Sequence, residues 1–520
     1  MKKILVFLLS ALGLNANAQD PYLNNTIINT SDLFGTSRFV SMGGAMGALG
    51  ADLSVISSNP AGLGMIRKNE MSLTAGASWL GYNSAKGSAS GTFAQFNQIG
   101  ALASFQCSGK VSNINLAFNY QKKADFNNSF FGETLTAASW ADQLKGLADE
   151  AYENRDILYG HSDTYFSTLY YLAETSGLYD EEIEKTPADP NSTLSVSRGS
   201  LDAYEFNVST NIDNRYFFGL TLGLDDVDFL RTTDYWEQRT DKSGNIQDFG
   251  YANEQRITGT GFNFKFGAIV RPFANSPFRV GVTVETPTWY RLKYVDDQYL
   301  TTKYSWDDKE KVAVYDPAPK SYYKHYVYDL SNSYINYLEY LLTSPWKFRA
   351  QMGSTISTCF AWGVEYEFAS YSCTSTRYPS EYGGTTLDLD LSDVTATMFL
   401  PQHTLRAGLE FKPVSSLALR AGYNYISSTT SPDSYWDPYY CNSSVSYPTG
   451  LDYMNLSDTH IVTFGLGYRY KMLYADLAYK YRIQKGDYYA FNSYYSNVPM
   501  APVPVDLSTH SITATIGVRF

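Results

Sequence analysis

The sequence predicts an all-β fold, a 14-stranded antiparallel transmembrane β-barrel with an N-terminal hatch, and three observations carry that prediction. Many segments alternate an apolar face with a polar one and keep their charges on a single face. Short turns and long connections alternate along the chain. Finally, 45 Tyr, 29 Phe and 8 Trp accompany only 18% charged residues, a load that aromatic girdles at two membrane interfaces account for.

The last segment shows the pattern clearly. From His510 to Phe520, Ile512, Ala514, Ile516, Val518 and Phe520 share one face, while Ser511, Thr513, Thr515, Gly517 and Arg519 share the other. Such a strand needs lipid on one side and a polar lumen on the other.

Residues 1–18 read as a signal peptide: Lys2 and Lys3, an apolar stretch from Ile4 to Leu14, then Ala16-Asn17-Ala18 before Gln19. Its removal would take the formal charge from −12 to −14 (−12 − 2). That acidic balance argues against nucleic acid as a partner, because a phosphate backbone requires a basic surface. No later apolar run reaches the roughly 20 residues of a membrane helix. The expected location is the outer membrane of a Gram-negative cell.

Residues 19–69 do not alternate. Met42-Gly43-Gly44-Ala45 lies in a small-residue run that lets backbone approach backbone. Asn59 before Pro60 suits a helix start, because Asn caps free amides and Pro at the first position loses no hydrogen bond. Taken alone these features favour short capped turns, and they also suit a compact plug inside a barrel. The stretch from Met42-Gly43-Gly44-Ala45 through Asp52 to Asn59-Pro60-Ala61-Gly62-Leu63 resembles the N-terminal hatch of the FadL/TodX family, outer-membrane transporters of hydrophobic compounds. Arg215 to Gly223, Leu419 to Tyr423 and Phe464 to Tyr468 resemble strands of that family. The resemblance implies a hatch and gating role for Asn59, Pro60, Ala61 and Gly62. It also implies passive uptake of long-chain fatty acids or aromatic hydrocarbons, with lateral release through a gap at an inward-bent third strand. That strand is here about Val111 to Lys122, whose Asn113, Asn115 and Asn119 include no Gly or Pro to force a bend.

The barrel spans residues 70–520. Six short turns are expected near Ser108-Gly109, Asp213-Asn214, Asn275-Ser276-Pro277, Thr358-Cys359, Lys412 to Ser415 and Lys471-Met472. With the first strand (70–82) and the last (508–520) they give fourteen strands, an even number. Tyr322 to Tyr328 is assigned to an external loop or hairpin extension. Leu405, Ala407, Leu409 and Phe411 should face lipid while Arg406 and Glu410 face inward. The same holds for Leu419 and Tyr423 against Arg420, for Phe464 and Tyr468 against Arg469, and for Trp362 and Tyr366 against Glu365 and Glu367. A basic residue facing lipid at mid-membrane would cost roughly 2 to 4 kcal/mol. The lumen carboxylates Glu365, Glu367, Glu410 and Asp476 should therefore pair with Arg406, Arg420, Arg469, Lys480 and Arg519, although the same carboxylates would serve an outer-membrane hydrolase.

The largest external loop is about 123–200, with helical character from Ser139 to Ala148 and Trp140, Leu144 and Leu147 on one face. Aromatics concentrate again from Tyr435 to Tyr440. Cys373 and Cys441 fall in external loops, where an exported chain permits either a disulfide or two unpaired thiols. His161, His325, His403, His460 and His510 are far apart, and no metal, nucleophile or phosphate-loop spacing occurs, so no cofactor is expected. Expected partners are a hydrophobic ligand, outer-membrane lipid and lipopolysaccharide, with a monomer favoured. The alternative to a channel is a docking barrel of a protein-export or surface-attachment machine; only transport requires an apolar cavity behind the hatch.

Overall fold

The computed structural model describes residues 21–30, 32–84, 90–135, 138–140, 183–184, 190–241, 246–306, 322–329, 338–380, 383–431, 434, 452–491 and 500–520. The strands that close the ring are β1 (Glu70–Ser84), β2 (Ser90–Gln106), β3 (Val111–Asp125), β4 (Pro190–Ile212), β5 (Tyr216–Asp241) and β6 (Ile246–Val270). β7 runs in two pieces, Arg279–Glu285 and Trp289–Trp306, and so does β8, Leu338–Thr343 and Lys347–Ile356. The ring continues through β9 (Phe360–Ser370), β10 (Pro401–Val414), β11 (Leu417–Ile426), β12 (Tyr453–Tyr470), β13 (Leu473–Tyr489) and β14 (Val503–Arg519). Every neighbouring pair is antiparallel, and β14 returns to β1 from Arg519 opposite Glu70 to Val505 opposite Ser84. The ring of fourteen is closed.

Local chemistry explains the joints. Five of the six expected short turns lie between consecutive strands, and the sixth, expected at Lys412 to Ser415, falls at Ser415–Ser416 because the strand continues to Val414. At the β4–β5 turn Asp213 and Asn214 both take positive φ (53° and 50°), the conformation of a tight hairpin that follows strand twist and that Asn and Asp tolerate best. The breaks in β7 and β8 sit side by side at Pro287 and Pro345, which cannot donate to a ladder. There Ser344 N donates to Thr288 O (3.1 Å) and Thr288 N to Ser344 Oγ (2.8 Å), which re-stitches the wall. Tyr322–Asp329 pairs with Tyr299–Trp306 as a hairpin extension of β7.

The apolar face points outward as the alternation requires. Leu405, Leu409 and Phe411 are exposed while Gln402, Thr404, Arg406 and Glu410 are buried. On β5 the outward row Tyr216, Phe218, Leu220 and Leu224 gives way to the outward carboxylates Asp226 and Asp228. About nine to eleven tilted residues cross a bilayer, so the strand then continues beyond the membrane to Asp241. The connection expected at 123–200 is correspondingly shorter, because β3 reaches Asp125 and Asn128–Leu135 pairs with Pro190–Ser197 of β4.

Residues 21–66 fill space inside the ring. Helix α1 (Pro21–Ile28) buries Leu23, Ile27 and Ile28 with Leu201, Phe229 and Leu292 of the wall. Helix α2 (Ser37–Ser41) starts at Thr36, whose side chain accepts from Phe39 N, and two 3-10 turns follow at Leu53–Ser57 and Pro60–Met65. Val40, Met42, Met46 and Val55 pack against Ala361, Ile426, Ile461 and Ala478.

Candidate lumen site

Two seats without side chains hold the N-terminal segment against the wall. Gly353, Gly363, Gly408 and Gly422 lie opposite one another across β8 to β11. A Cβ on Gly363 would come within 2.0 Å of Ala45 O, and one on Gly408 within 2.2 Å of Met42 O. Across the lumen, Gly219 and Gly267 are also opposite each other. A Cβ on Gly219 would meet the Pro60 carbonyl carbon at 2.3 Å, and one on Gly267 would meet Asn59 Oδ1 at 2.1 Å. At Gly219, Gly363 and Gly408 backbone therefore approaches backbone where only glycine fits, and at Gly267 the Asn59 side chain takes the space. Asn59, fully buried, caps the Pro60 turn by accepting from Ala61 N (3.0 Å) and donates Nδ2 to Gln351 Oε1 (2.7 Å). Gly62 packs against Val55 and Gly50. Of the four residues singled out from sequence, Asn59, Pro60 and Ala61 meet the wall at this seat, and Gly62 packs within the segment itself.

Many of the lumen charges form ion pairs. Arg406 Nη1 reaches Glu365 at 2.6 Å and Glu367 at 3.3 Å; Arg349 joins Glu367 (2.5 Å) to Glu285 (2.8 Å). Arg420 bridges Glu410 (2.7 Å) and Asp476 (2.5 Å), and Arg38 of α2 reaches the same Glu410 at 3.2 Å. Lys265 pairs with Glu205 in full burial, and Arg519 with Glu70 at 2.7 Å beside the closing strands. Each carboxylate of the hydrolase alternative is thus held by a guanidinium. Three of the expected cations depart from expectation: Arg519 takes Glu70 and Lys480 takes Asp32, neither of them among the expected carboxylates, and Arg469, near the β12–β13 turn, is exposed and forms no ion pair among the described residues. Water solvates it there, so no partner is required.

Two cavities meet at Asp32 and Phe34. The larger, about 260 Å³, lies on the loop side and is lined by α1, β1 to β5 and β10 to β14; the smaller, about 60 Å³, lies among Lys123, Lys265, Glu285, Arg349 and Glu367. Asp32 and Phe34 line both. Lys480 Nζ stands 2.9 Å from Asp32 Oδ1 and 4.2 Å from the centre of the Phe34 ring. The larger cavity mixes Phe34, Phe93, Phe126 and Phe229 with Ser78, Ser511, Lys480 and Arg482. Beside it the β2–β3 ladder ends at Gln98 opposite Gln121, and β3 bulges between Lys122 and Ala124. Asn97, at the irregularity of β2, is 1% exposed with both amide atoms unpartnered among the described residues.

No family model matches the chain, and no curated protein matches it. Among solved structures, a FadL homologue of Pseudomonas aeruginosa superposes with TM-score 0.51 at 11% identity, covering 94% of this chain and 99% of that one. The chain has the FadL fold. A Pseudomonas putida toluene transporter, TodX, aligns with TM-score 0.46 at 12% identity over 94% and 99% of the two chains. The monoaromatic hydrocarbon channel CymD aligns with TM-score 0.45 at 11% identity over 95% and 98%.

Within this FadL-type barrel, Asp32, Phe34 and Asn97 were not singled out by sequence reasoning. Asp32 and Phe34 sit in a stretch with no period, and only their contacts with Lys480, over 440 residues away, give them a place. Asn97 breaks the alternation of β2 by one residue, which was the available signal. Trp140 is buried on Phe249 and Tyr251 of β6, stacked on Tyr251 with centroids 4.6 Å apart. Residues 1–18, 141–148 and 435–440, with His161 and Cys441, lie outside the described residues; Cys373 is exposed. No metal-holding group of His, Cys, Asp and Glu occurs among the described residues.

Proposed function

We propose that this chain is an outer-membrane uptake channel for hydrophobic small molecules such as long-chain fatty acids or aromatic hydrocarbons, with the segment 19–69 as its hatch. The observation that carries the reading is the 260 Å³ cavity on the loop side of the N-terminal segment. A void of about 150 Å³ already accommodates benzene, and four phenylalanines supply apolar contact here while Lys480 and Arg482 face any anionic end. Ligand would leave water at the loops, bind in this cavity and pass onward when Asp32 and Phe34 yield. In this reading Asn59, Pro60, Ala61 and Gly62 are the anchored end of the hatch, and the Asp32–Lys480 contact is its gate. The end of the β2–β3 ladder, with the unpartnered Asn97 beside it, supports a sideways exit that needs no Gly or Pro in β3. A gradient of ligand suffices.

Native mass spectrometry of the detergent-purified barrel, with lipid extraction, tests the reading. A near-stoichiometric hydrophobic ligand is the expected result. An empty barrel that instead copurifies with one particular protein would replace transport with the docking alternative.

A further inference from the structure

Three external hairpins carry the same side-chain arrangement on their lipid-facing side. Tyr366 Oη lies 2.7 Å from His403 Nδ1 between β9 and β10. Tyr423 Oη lies 2.8 Å from His460 Nδ1 between β11 and β12, and Tyr479 Oη lies 2.7 Å from His510 Nδ1 between β13 and β14. In each case the histidine faces an aromatic two residues beyond the tyrosine: Phe368, Tyr425 and Tyr481. In each case the residue opposite the tyrosine is aliphatic: Leu405, Val462 and Ile512. A fourth hairpin repeats the geometry with a carboxylate. Tyr120 donates to Asp202 (2.9 Å), and Asp202 is opposite Lys122, two residues beyond.

The row has one height. Below His403 the outward positions run through Leu405, Ala407 and Leu409 to Phe411; below His460 they run through Val462, Phe464 and Leu466 to Tyr468; below His510, through Ile512, Ala514 and Ile516 to Val518. Eight tilted residues rise about 20 Å at 3.3 to 3.4 Å each and a tilt near 40°. The histidines therefore stand at the loop-side edge of the apolar belt, where headgroups begin. Trp79, exposed and opposite His510, marks the same edge.

We propose that these three histidines bind phosphate groups of lipid headgroups in the outer leaflet. A carboxylate only accepts, so at Asp202 the tyrosine is the donor; in the proposed site the three histidines take the matching tautomer, in which Nδ1 accepts from the tyrosine. An imidazole that accepts at Nδ1 carries its proton on Nε2, and an imidazolium carries one there as well. Nε2–H thus stays available as a donor, with no hydrogen bond to it among the described residues. The aliphatic neighbour holds an acyl chain, so the site fits a phosphate attached to a lipid better than phosphate alone. The inference rests on the membrane-spanning reading of the barrel and is independent of what the lumen carries.

The test is native mass spectrometry of the full-length barrel titrated with phosphatidylglycerol, digalactosyl diacylglycerol or inorganic phosphate. Wild type is expected to retain up to three phosphatidylglycerol molecules more than the phosphate-free glycolipid. Each of His403→Phe, His460→Phe and His510→Phe should remove one of them, and the triple variant all three, with the lumen ligand unchanged. Phenylalanine keeps the girdle aromatic, and these side chains are outside the packed lumen. Thermal unfolding in vesicles gives a second readout: several degrees of stabilisation by phosphatidylglycerol over the glycolipid, abolished in the triple variant. Equal retention by wild type and triple variant, or equal binding of inorganic phosphate, would overturn the proposal.

Discussion

Lys480 Nζ, on β13, lies 2.9 Å from Asp32 Oδ1 in the N-terminal segment, and this contact ties wall to segment where the two lumen cavities adjoin. Lys480 also donates to Leu33 O at 3.0 Å, so one ammonium fixes the turn leading into α2. If this point is the gate, Asp32→Asn should raise uptake of a hydrophobic probe several-fold in cells carrying the inserted barrel. Phe34→Ala should do the same by joining the cavities. Unchanged uptake in both variants would place the gate elsewhere.

The same pair predicts a pH dependence. Burial pushes the Asp32 carboxyl up, but the charges of Lys480 and Arg482 and the Lys480 hydrogen bond outweigh it and hold the group below its ordinary value. A carboxyl with a depressed folded pKa adds stability above its unfolded value, near 3.9, and loses it as pH falls through the lower folded value. Protease protection of the N-terminal segment should therefore be flat from pH 7 to 5 and fall only below about pH 4. Loss already at pH 5 to 6 would show that another group controls the segment.

The glycine seat gives a steric prediction. A side chain at Gly363 must displace Ala45, whose carbonyl oxygen is 2.0 Å from an ideal Cβ. Gly363→Val should cost the segment roughly 1 to 3 kcal/mol of its docking, as overpacking does. The strand hydrogen bonds of β9 do not involve the new side chain. Heat-modifiable migration of the barrel should persist while residues 21–66 become open to protease. A variant that keeps the segment protected would show that the backbone relaxes around valine.

Much of this fold was legible because alternation is a local property. Leu405 to Phe411 state which face is lipid without reference to any neighbour, and turns such as Asp213-Asn214 mark where strands end. The glycine row was not legible as a seat, because Gly353, Gly363, Gly408 and Gly422 become neighbours only through strand register. Asp32 was hidden for the same reason. Its partner Lys480 belongs to a strand whose inward face could be read, but what lay across the lumen from it could not. Asn59 was legible as a cap from Pro60 alone, whereas its bond to Gln351 depended on the seat at Gly267.

Asn59→Ala removes two interactions at once: the cap to Ala61 N and the Nδ2 bond to Gln351 Oε1. A lost cap costs about 1 kcal/mol and a buried acceptor left unpaired about 1 to 3 kcal/mol. Gln351 keeps weaker contacts at 3.3 Å to Ser58 O and Thr283 Oγ1 through Nε2, which do not satisfy its oxygen. Proteolysis of the segment in Asn59→Ala should speed up by more than tenfold. If uptake by a correctly inserted Asn59→Ala barrel equals that of wild type, Asn59 anchors the segment without gating.

Arg349 is the most consequential single cation of the wall. It holds Glu367 at 2.5 Å and Glu285 at 2.8 Å, and Glu367 is shared with Arg406. Removing it leaves two buried carboxylates with one fewer positive charge, and breaking a buried pair from one side costs roughly 3 to 5 kcal/mol. Arg349→Met should therefore lower the thermal midpoint of the reconstituted barrel far more than the triple change Arg349→Met, Glu367→Gln, Glu285→Gln, which removes the charges together. The comparison separates charge balance from packing, because Met retains most of the side chain's length. Equal loss in both variants would mean that the aliphatic stem of Arg349, rather than its charge, supports β8 against β7 and β9.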